Sequence, residues 1–192
     1  MVRQPEHIYD ELLVLDCQRG DQAALKELIG RWQKRLGRFA LRLTGDADAA
    51  ADALQETWIA IVRGIRRLDD PASFRAWAYR IAANKCADWI RKNQRSRNLN
   101  EKLTIESDGR VVQSAEAELE RQDEISQLRS ALRKLSHERR MILSLKYVDE
   151  MSTREIAKAL NVPEGTVKSR LYHAREDLKK ILETNAHERS KS

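Results

Sequence analysis

Residues 74–81, Phe-Arg-Ala-Trp-Ala-Tyr-Arg-Ile, interleave aromatic rings with arginines. That alternation suits a single nucleic-acid strand, because a ring stacks on a base while a guanidinium holds the neighbouring phosphate. At about 100° per residue, Arg80, Asn84 and Arg91 fall within about 40° of one another on a helix face. Trp77 sits close to that stripe. Phe74, Ala78, Ile81 and Trp89 lie on the other side and face a core. Trp89 reads as core, whereas Trp77 and Tyr79 divide evenly between core and base stacking.

A second group lies near the C-terminus. Thr166, Lys168, Ser169, Arg170, Tyr172, His173 and Arg175 form the outward side of a helix whose inward positions are Val167, Leu171 and Ala174. Hydroxyl, imidazole and cationic groups at these positions suit base edges and phosphates in a major groove. A third group, Asp52, Gln55 and Glu56, shares one polar face at spacings of three and four, with Trp58 close by. Taken alone, such a face reads as solvated charge.

No arrangement for turnover accompanies these groups. His7, His137, His173 and His187 are dispersed without HExxH spacing, and there is neither a glycine-rich phosphate loop nor GxSxG. Cys17 and Cys86 lack a CxxC partner, which excludes a disulfide scaffold and a cysteine zinc site. The expectation is a binding protein and not an enzyme, with no catalytic residue, metal or cofactor. No apolar run approaches the roughly 18 residues of a membrane span, and no basic-then-apolar leader opens the chain. That points to a soluble, cytoplasmic protein without membrane insertion.

The elements that hold these groups are helical. With 41% hydrophobic and 34% charged residues, and only 7 Gly and 3 Pro among 192, the composition argues against an all-β architecture. Asp21 caps a helix running through Leu28, Trp32, Leu36, Phe39 and Leu43, and Gly45 ends it in the left-handed region. A second helix carries Ala50, Leu54, Trp58, Ile61 and Ile65. A third starts near Ser73, read as its N-cap, after the stop at Asp70-Pro71. Further on, Leu128, Leu132, Leu135, Ile142, Leu143 and Tyr147 stripe two helices broken at Leu135-Ser136. Ser152 and Glu155 make a capping box. Small Ala157, a turn at Asn161, Pro163 in a first helical turn and buried Val167 then form a helix-turn-helix pattern.

Charge divides the chain in the same way. Residues 1–60 carry net −2, 61–100 net +7, 101–125 net −5 and 126–192 net +6, for +6 in all. Two basic blocks flanking an acidic one suit a polyphosphate partner bound by two modules. The polar, weakly periodic stretch at 93–113 reads as the boundary. The expected organisation is therefore all-α: a helical domain at 1–95, a flexible acidic linker at 96–114, a helix-turn-helix domain at 115–186 and a frayed tail at 187–192.

Asp52-Ala53-Leu54-Gln55-Glu56-Thr57-Trp58 and residues 74–84 resemble the second conserved region of bacterial sigma factors. Leu132–Leu135, Met151–Ala157 and Gly165–Arg175 resemble the fourth. Their order, and the absence of a middle domain, resemble the extracytoplasmic-function subgroup of the sigma-70 family over about residues 9–183. The resemblance implies that Asp52, Gln55, Glu56 and Trp58 dock on the clamp of the largest subunit of core RNA polymerase. It assigns Arg75, Trp77, Arg80, Asn84 and Arg91 to the melted minus-ten strand of promoter DNA. It gives Lys168, Ser169, Tyr172 and His173, with Thr166 beside them, to bases of the minus-thirty-five duplex, and Arg170 and Arg175 to its phosphates. An anti-sigma partner and a monomeric free chain are implied as well. The competing function is an autonomous helix-turn-helix regulator of duplex DNA, which would not need polymerase binding.

Overall fold

A computed structural model describes residues 5–99 and 116–189, with side chains over 7–92 and 125–185. Among these residues there are helices and turns but no strand. The elements fall into two helical domains. The first contains α1 (Pro5–Arg19), α2 (Gln22–Thr44), α3 (Ala47–Gly64) and α4 (Phe74–Leu99). The second contains α5 (Glu116–Lys134), α6 (His137–Leu143), α7 (Thr153–Leu160) and α8 (Glu164–Arg189).

Local chemistry sets most boundaries. The Asp21 carboxylate accepts from the Ala23 and Ala24 amides, and Gly45, at φ 72°, ends α2. Asp46 caps α3 in the same way, accepting from Ala49 N at 2.8 Å. The cap expected of Ser73 belongs instead to Asp70. Its carboxylate accepts from Ala72 N and, at 2.6 Å, from the Ser73 hydroxyl, so Pro71–Ser73 winds as a 3₁₀ turn leading into α4. An aspartate directly before proline sits where a cap is needed, and Ser73 lies inside the turn that results. α4 runs to Leu99, past the boundary expected at 95, and α8 to Arg189, past the expected start of the tail at 187. Residues 100–115, most of the expected linker, lie outside the described residues.

In the first domain α2, α3 and α4 pack around Leu28, Trp32, Leu36, Phe39, Ile61, Phe74, Ala78 and Tyr79, all buried. The Trp32 ring meets Phe74 edge-on at 5.4 Å and Tyr79 at 6.2 Å, and Phe39 meets Tyr79 at 5.1 Å. The last turn of α3 lies against Trp77 so closely that a Cβ on Gly64 would sit 2.9 Å from the indole. α1 covers one side, where the Gln18 amide donates to Ile65 O and Leu68 O at 3.0 and 2.7 Å and fixes the loop before α4. Trp89 is half-buried rather than core, because Cys86 is the last described α4 residue in the buried cluster.

In the second domain Ala131, Leu135, Ile142, Leu145, Met151, Ile156, Val167 and Ala174 are buried. A π-helical turn, Ser144–Val148, links α6 to α7 and leaves Tyr147 56% exposed. Leu128 is 42% exposed too, although it lies on the same side of α5 as buried Ala131 and of Leu135 just beyond the helix. The apolar striping of the sequence marks both positions as inward, but a stripe is buried only where a neighbour covers it.

Candidate nucleic-acid interface

The helix-turn-helix is assembled as its residue types require. The Ser152 hydroxyl accepts from Glu155 N at 3.2 Å, while the Glu155 carboxylate takes the Ser152 amide at 2.8 Å and hydroxyl at 2.7 Å. Asn161, at φ 52°, ends α7 in the left-handed region. Ile156, Ala157, Val167, Leu171 and Ala174 are buried between α7 and α8. Lys168, Ser169, Arg170, Tyr172, His173 and Arg175 are exposed and Thr166 is half-buried. On the helical wheel, Ser169, Tyr172 and His173 occupy the middle of the exposed arc, with Lys168 and Arg175 on one margin and Thr166 and Arg170 on the other. The Tyr172 and His173 rings meet edge-on at 5.4 Å. A flat group flanked by cations can enter a groove with its margins on the phosphates.

On α4, Arg80, Asn84 and Arg91 are exposed along one face, with Arg91 paired to Asp88 one turn back. Trp77 is half-buried and packs on the core beside Phe74. Tyr79, 2% exposed, is core. Asp52, Gln55 and Glu56 are exposed on α3, where Glu56 accepts from Lys85 at 3.3 Å. Trp58 is half-buried, and its Nε1 has no hydrogen-bond partner among the described residues. An open groove of about 340 Å³ between α3 and α4 is lined by Arg63, Arg67 and Lys85 beside Glu56 and Gly64. Arg63 and Lys85 are not singled out by the sequence, because a groove between two helices leaves no spacing signal in either.

Arg75 stands apart from the other α4 candidates. It is half-buried against the second domain, donating to Glu155 at 3.4 Å and to the Asp149 carbonyl. Burial works to raise the Glu155 pKa, but the Ser152 hydrogen bonds and the Arg75 charge outweigh it and hold the carboxyl below its ordinary value. Asp149 is also absent from the sequence reading. Its carboxylate accepts from Tyr79 Oη at 2.7 Å, from Arg42 at 2.7 Å and from the Ser144 hydroxyl at 3.1 Å. Burial first, and the Asp149 charge second, push the Tyr79 phenol far up, so it remains a donor throughout the physiological range.

His137 begins α6 with both ring nitrogens buried and unpartnered among the described residues. Burial, then the Arg140 charge, lowers its pKa from the ordinary 6.5. A histidine that is neutral when folded but protonates near 6.5 when unfolded makes the unfolded chain bind more protons on acidification. Its contribution is therefore complete above pH 6.5 and is lost as pH falls through and below that value. Thermal melts should drop between pH 7.5 and 5.5, and His137→Leu should flatten that drop.

Comparison with known proteins joins these surfaces. Residues 28–96 match the family model for sigma-70 region 2, and residues 125–178 the model for sigma-70 region 4. The chain is 34% identical over 179 residues to the ECF RNA polymerase sigma factor SigW of Bacillus subtilis (strain 168), covering 88% of this chain and 94% of that one. It is 29% identical over 178 residues to the ECF RNA polymerase sigma-E factor of Escherichia coli (strain K12), covering 89% and 93%. Among solved structures it matches CnrH, determined in complex with the cytosolic domain of CnrY, at a TM-score of 0.68 and 25% identity over 92% of this chain and 98% of that one. It shares the fold of the sigma factor RpoE from Bartonella quintana, determined with the anti-sigma factor NepR, at a TM-score of 0.67 and 24% identity over 83% and 96%. With both regions matched in order, and the SigW relative aligned over nearly its whole length, the chain belongs to the sigma-70 family as an extracytoplasmic-function RNA polymerase sigma factor.

Proposed function

We propose that the first domain docks on the clamp of core RNA polymerase through Asp52, Gln55, Glu56 and Trp58 and captures the melted minus-ten strand along α4. The second domain reads the minus-thirty-five element as duplex through α8. The observation that carries this reading is the exposed arc of α8, whose hydrogen-bonding side chains stand on a buried Val167–Leu171–Ala174 seam behind a capped α7. The exposed stripe of Arg80, Asn84 and Arg91 supplies the strand-binding half. Opening the duplex takes a few kcal/mol per unstacked base, which contacts to the captured strand offset. The protein acts by binding, without turnover, in the cytoplasm. The cytosolic domain of CnrY and the anti-sigma factor NepR, bound to the two structural relatives, support an anti-sigma partner here. Among the described residues no helix is long and apolar enough to cross a membrane.

The test is co-elution of the purified chain with bacterial core polymerase, followed by run-off transcription on promoter fragments that the holoenzyme selects from genomic DNA. Lys168→Ala should weaken upstream-element recognition about 10-fold while leaving polymerase binding intact, the scale of one lost base or phosphate contact. Asn84→Ala should spare assembly and reduce permanganate-detected strand opening by a similar factor. Equal loss of polymerase binding in both variants would overturn this division of labour. A well-folded chain that binds duplex DNA but no polymerase would identify an autonomous regulator.

A further inference from the structure

The two domains meet across an interface that the proposed function does not use. Asp149, at the end of the π-helical turn of the second domain, is inserted between α2 and α4 of the first. Its side chain is 7% exposed and takes hydrogen bonds from Tyr79 and Arg42, while Arg42 Nε also donates to the Ser144 hydroxyl at 2.7 Å. Around this centre Arg75 is held by Glu155 and the Asp149 carbonyl, Arg140 Nη1 donates to Leu43 O at 3.3 Å, and Lys158 reaches the Ser73 hydroxyl at 3.3 Å. The buried apolar cluster is continuous across both domains. We propose that the free chain is held closed by this polar lock centred on Asp149, and that closure withholds Arg75 from single-stranded DNA.

The chemistry explains why the lock and the strand compete. Arg42 and Arg75 are guanidinium groups satisfied here by carboxylates and a carbonyl of the second domain, the kind of acceptor a phosphate supplies. While Asp149 and Glu155 occupy them, a strand must displace acids already tethered to the same chain. A tethered acid competes at high effective concentration, so the closed form lowers strand affinity by the fraction of chain that is open. The masking half rests on the reading of Arg75 as a strand contact; the lock itself does not.

The experiment separates the two. Spin labels at Lys34→Cys and Lys180→Cys, both exposed positions in different domains, report the interdomain distance in the full chain. The native cysteines are buried, with Cys86 pushed up to about 12 by burial, so they stay unlabelled. The unsubstituted interface should give one narrow distance. Asp149→Asn and the charge-neutral pair Tyr79→Phe with Ser144→Ala should each broaden and lengthen it, with helicity by circular dichroism unchanged. The neutral pair should also bind a fluorescein-labelled 20-nucleotide single strand about 10-fold more tightly, as expected if the open fraction rises from about a tenth to nearly all. A broad distribution before substitution, or a narrow one that survives both variants, would overturn the lock. If the distance lengthens while strand affinity stays within two-fold, masking is overturned. Arg75→Ala in the opened background then reads the premise directly: unchanged strand affinity removes Arg75 from the strand-binding surface and leaves the lock standing.

Discussion

A chain carrying Asp52→Lys and Gln55→Ala is expected to lose co-elution with core RNA polymerase at micromolar concentration. Both side chains are exposed on α3, away from the buried core. Exposed substitutions away from caps and pairs usually change stability by less than about 0.5 kcal/mol, so the melt should be unaltered. The interface should respond far more strongly. A charge reversal and an amide deletion at the centre of a docking face together cost about 2–4 kcal/mol, or about 30- to 1,000-fold in affinity. Trp58, which the proposed docking face includes, is half-buried, with an indole N–H that has no acceptor among the described residues. Size-exclusion chromatography of equimolar mixtures reads the outcome. A variant that co-elutes as the parent does would move the docking face away from α3.

The other large effect is on folding. Trp32→Ala empties the centre of the first domain, where the ring is 1% exposed and touches Phe74 and Tyr79 edge-on. Deleting a buried tryptophan costs about 3–5 kcal/mol through lost transfer free energy and the cavity left behind. A small domain holds only about 5–15 kcal/mol in total. The expected result is a fall in Tm of about 15 °C or more, since each kcal/mol moves the Tm of such a domain by about 4–8 °C. Trp32→Phe, which keeps a ring for Phe74 and Tyr79 to pack on, should recover more than half of that loss. Polymerase binding should fall with the folded fraction, because Asp52, Gln55 and Glu56 keep their spacing only while α3 is packed on α2. A melt lowered by a few degrees or less would show that the core does not depend on this ring.

Much of the fold follows from interactions within a few residues of one another, and those are visible along the chain. Asp21 before Gln22-Ala23-Ala24, Gly45 after Thr44, Ser152 three before Glu155 and Asn161 after Leu160 each act on neighbouring amides or on their own backbone torsions. Their residue types therefore determine helix ends without reference to anything distant. The helix-turn-helix is legible for the same reason: Ala157 and Val167 are ten positions apart and close the same turn. So are the exposed faces of α3, α4 and α8, because a polar stripe at helical spacing needs only the helix itself.

Tertiary contacts settled the rest. Trp89, Leu128 and Tyr147 sit at positions that continue an apolar stripe, yet they are half-buried or exposed because no neighbouring element among the described residues covers them fully. Tyr79, balanced between core and base stacking by its spacing, is core with its hydroxyl committed to a residue 70 positions away. Arg42 meets Asp149 across 107 positions, and no periodicity marks either residue. Arg75 is given to the melted strand by family resemblance and stands in the domain interface by structure. Helical spacing determines which side of a helix a residue faces; what stands opposite depends on how the chain brings remote segments together, and a hydrogen bond between those segments leaves no repeat in the order of the residues.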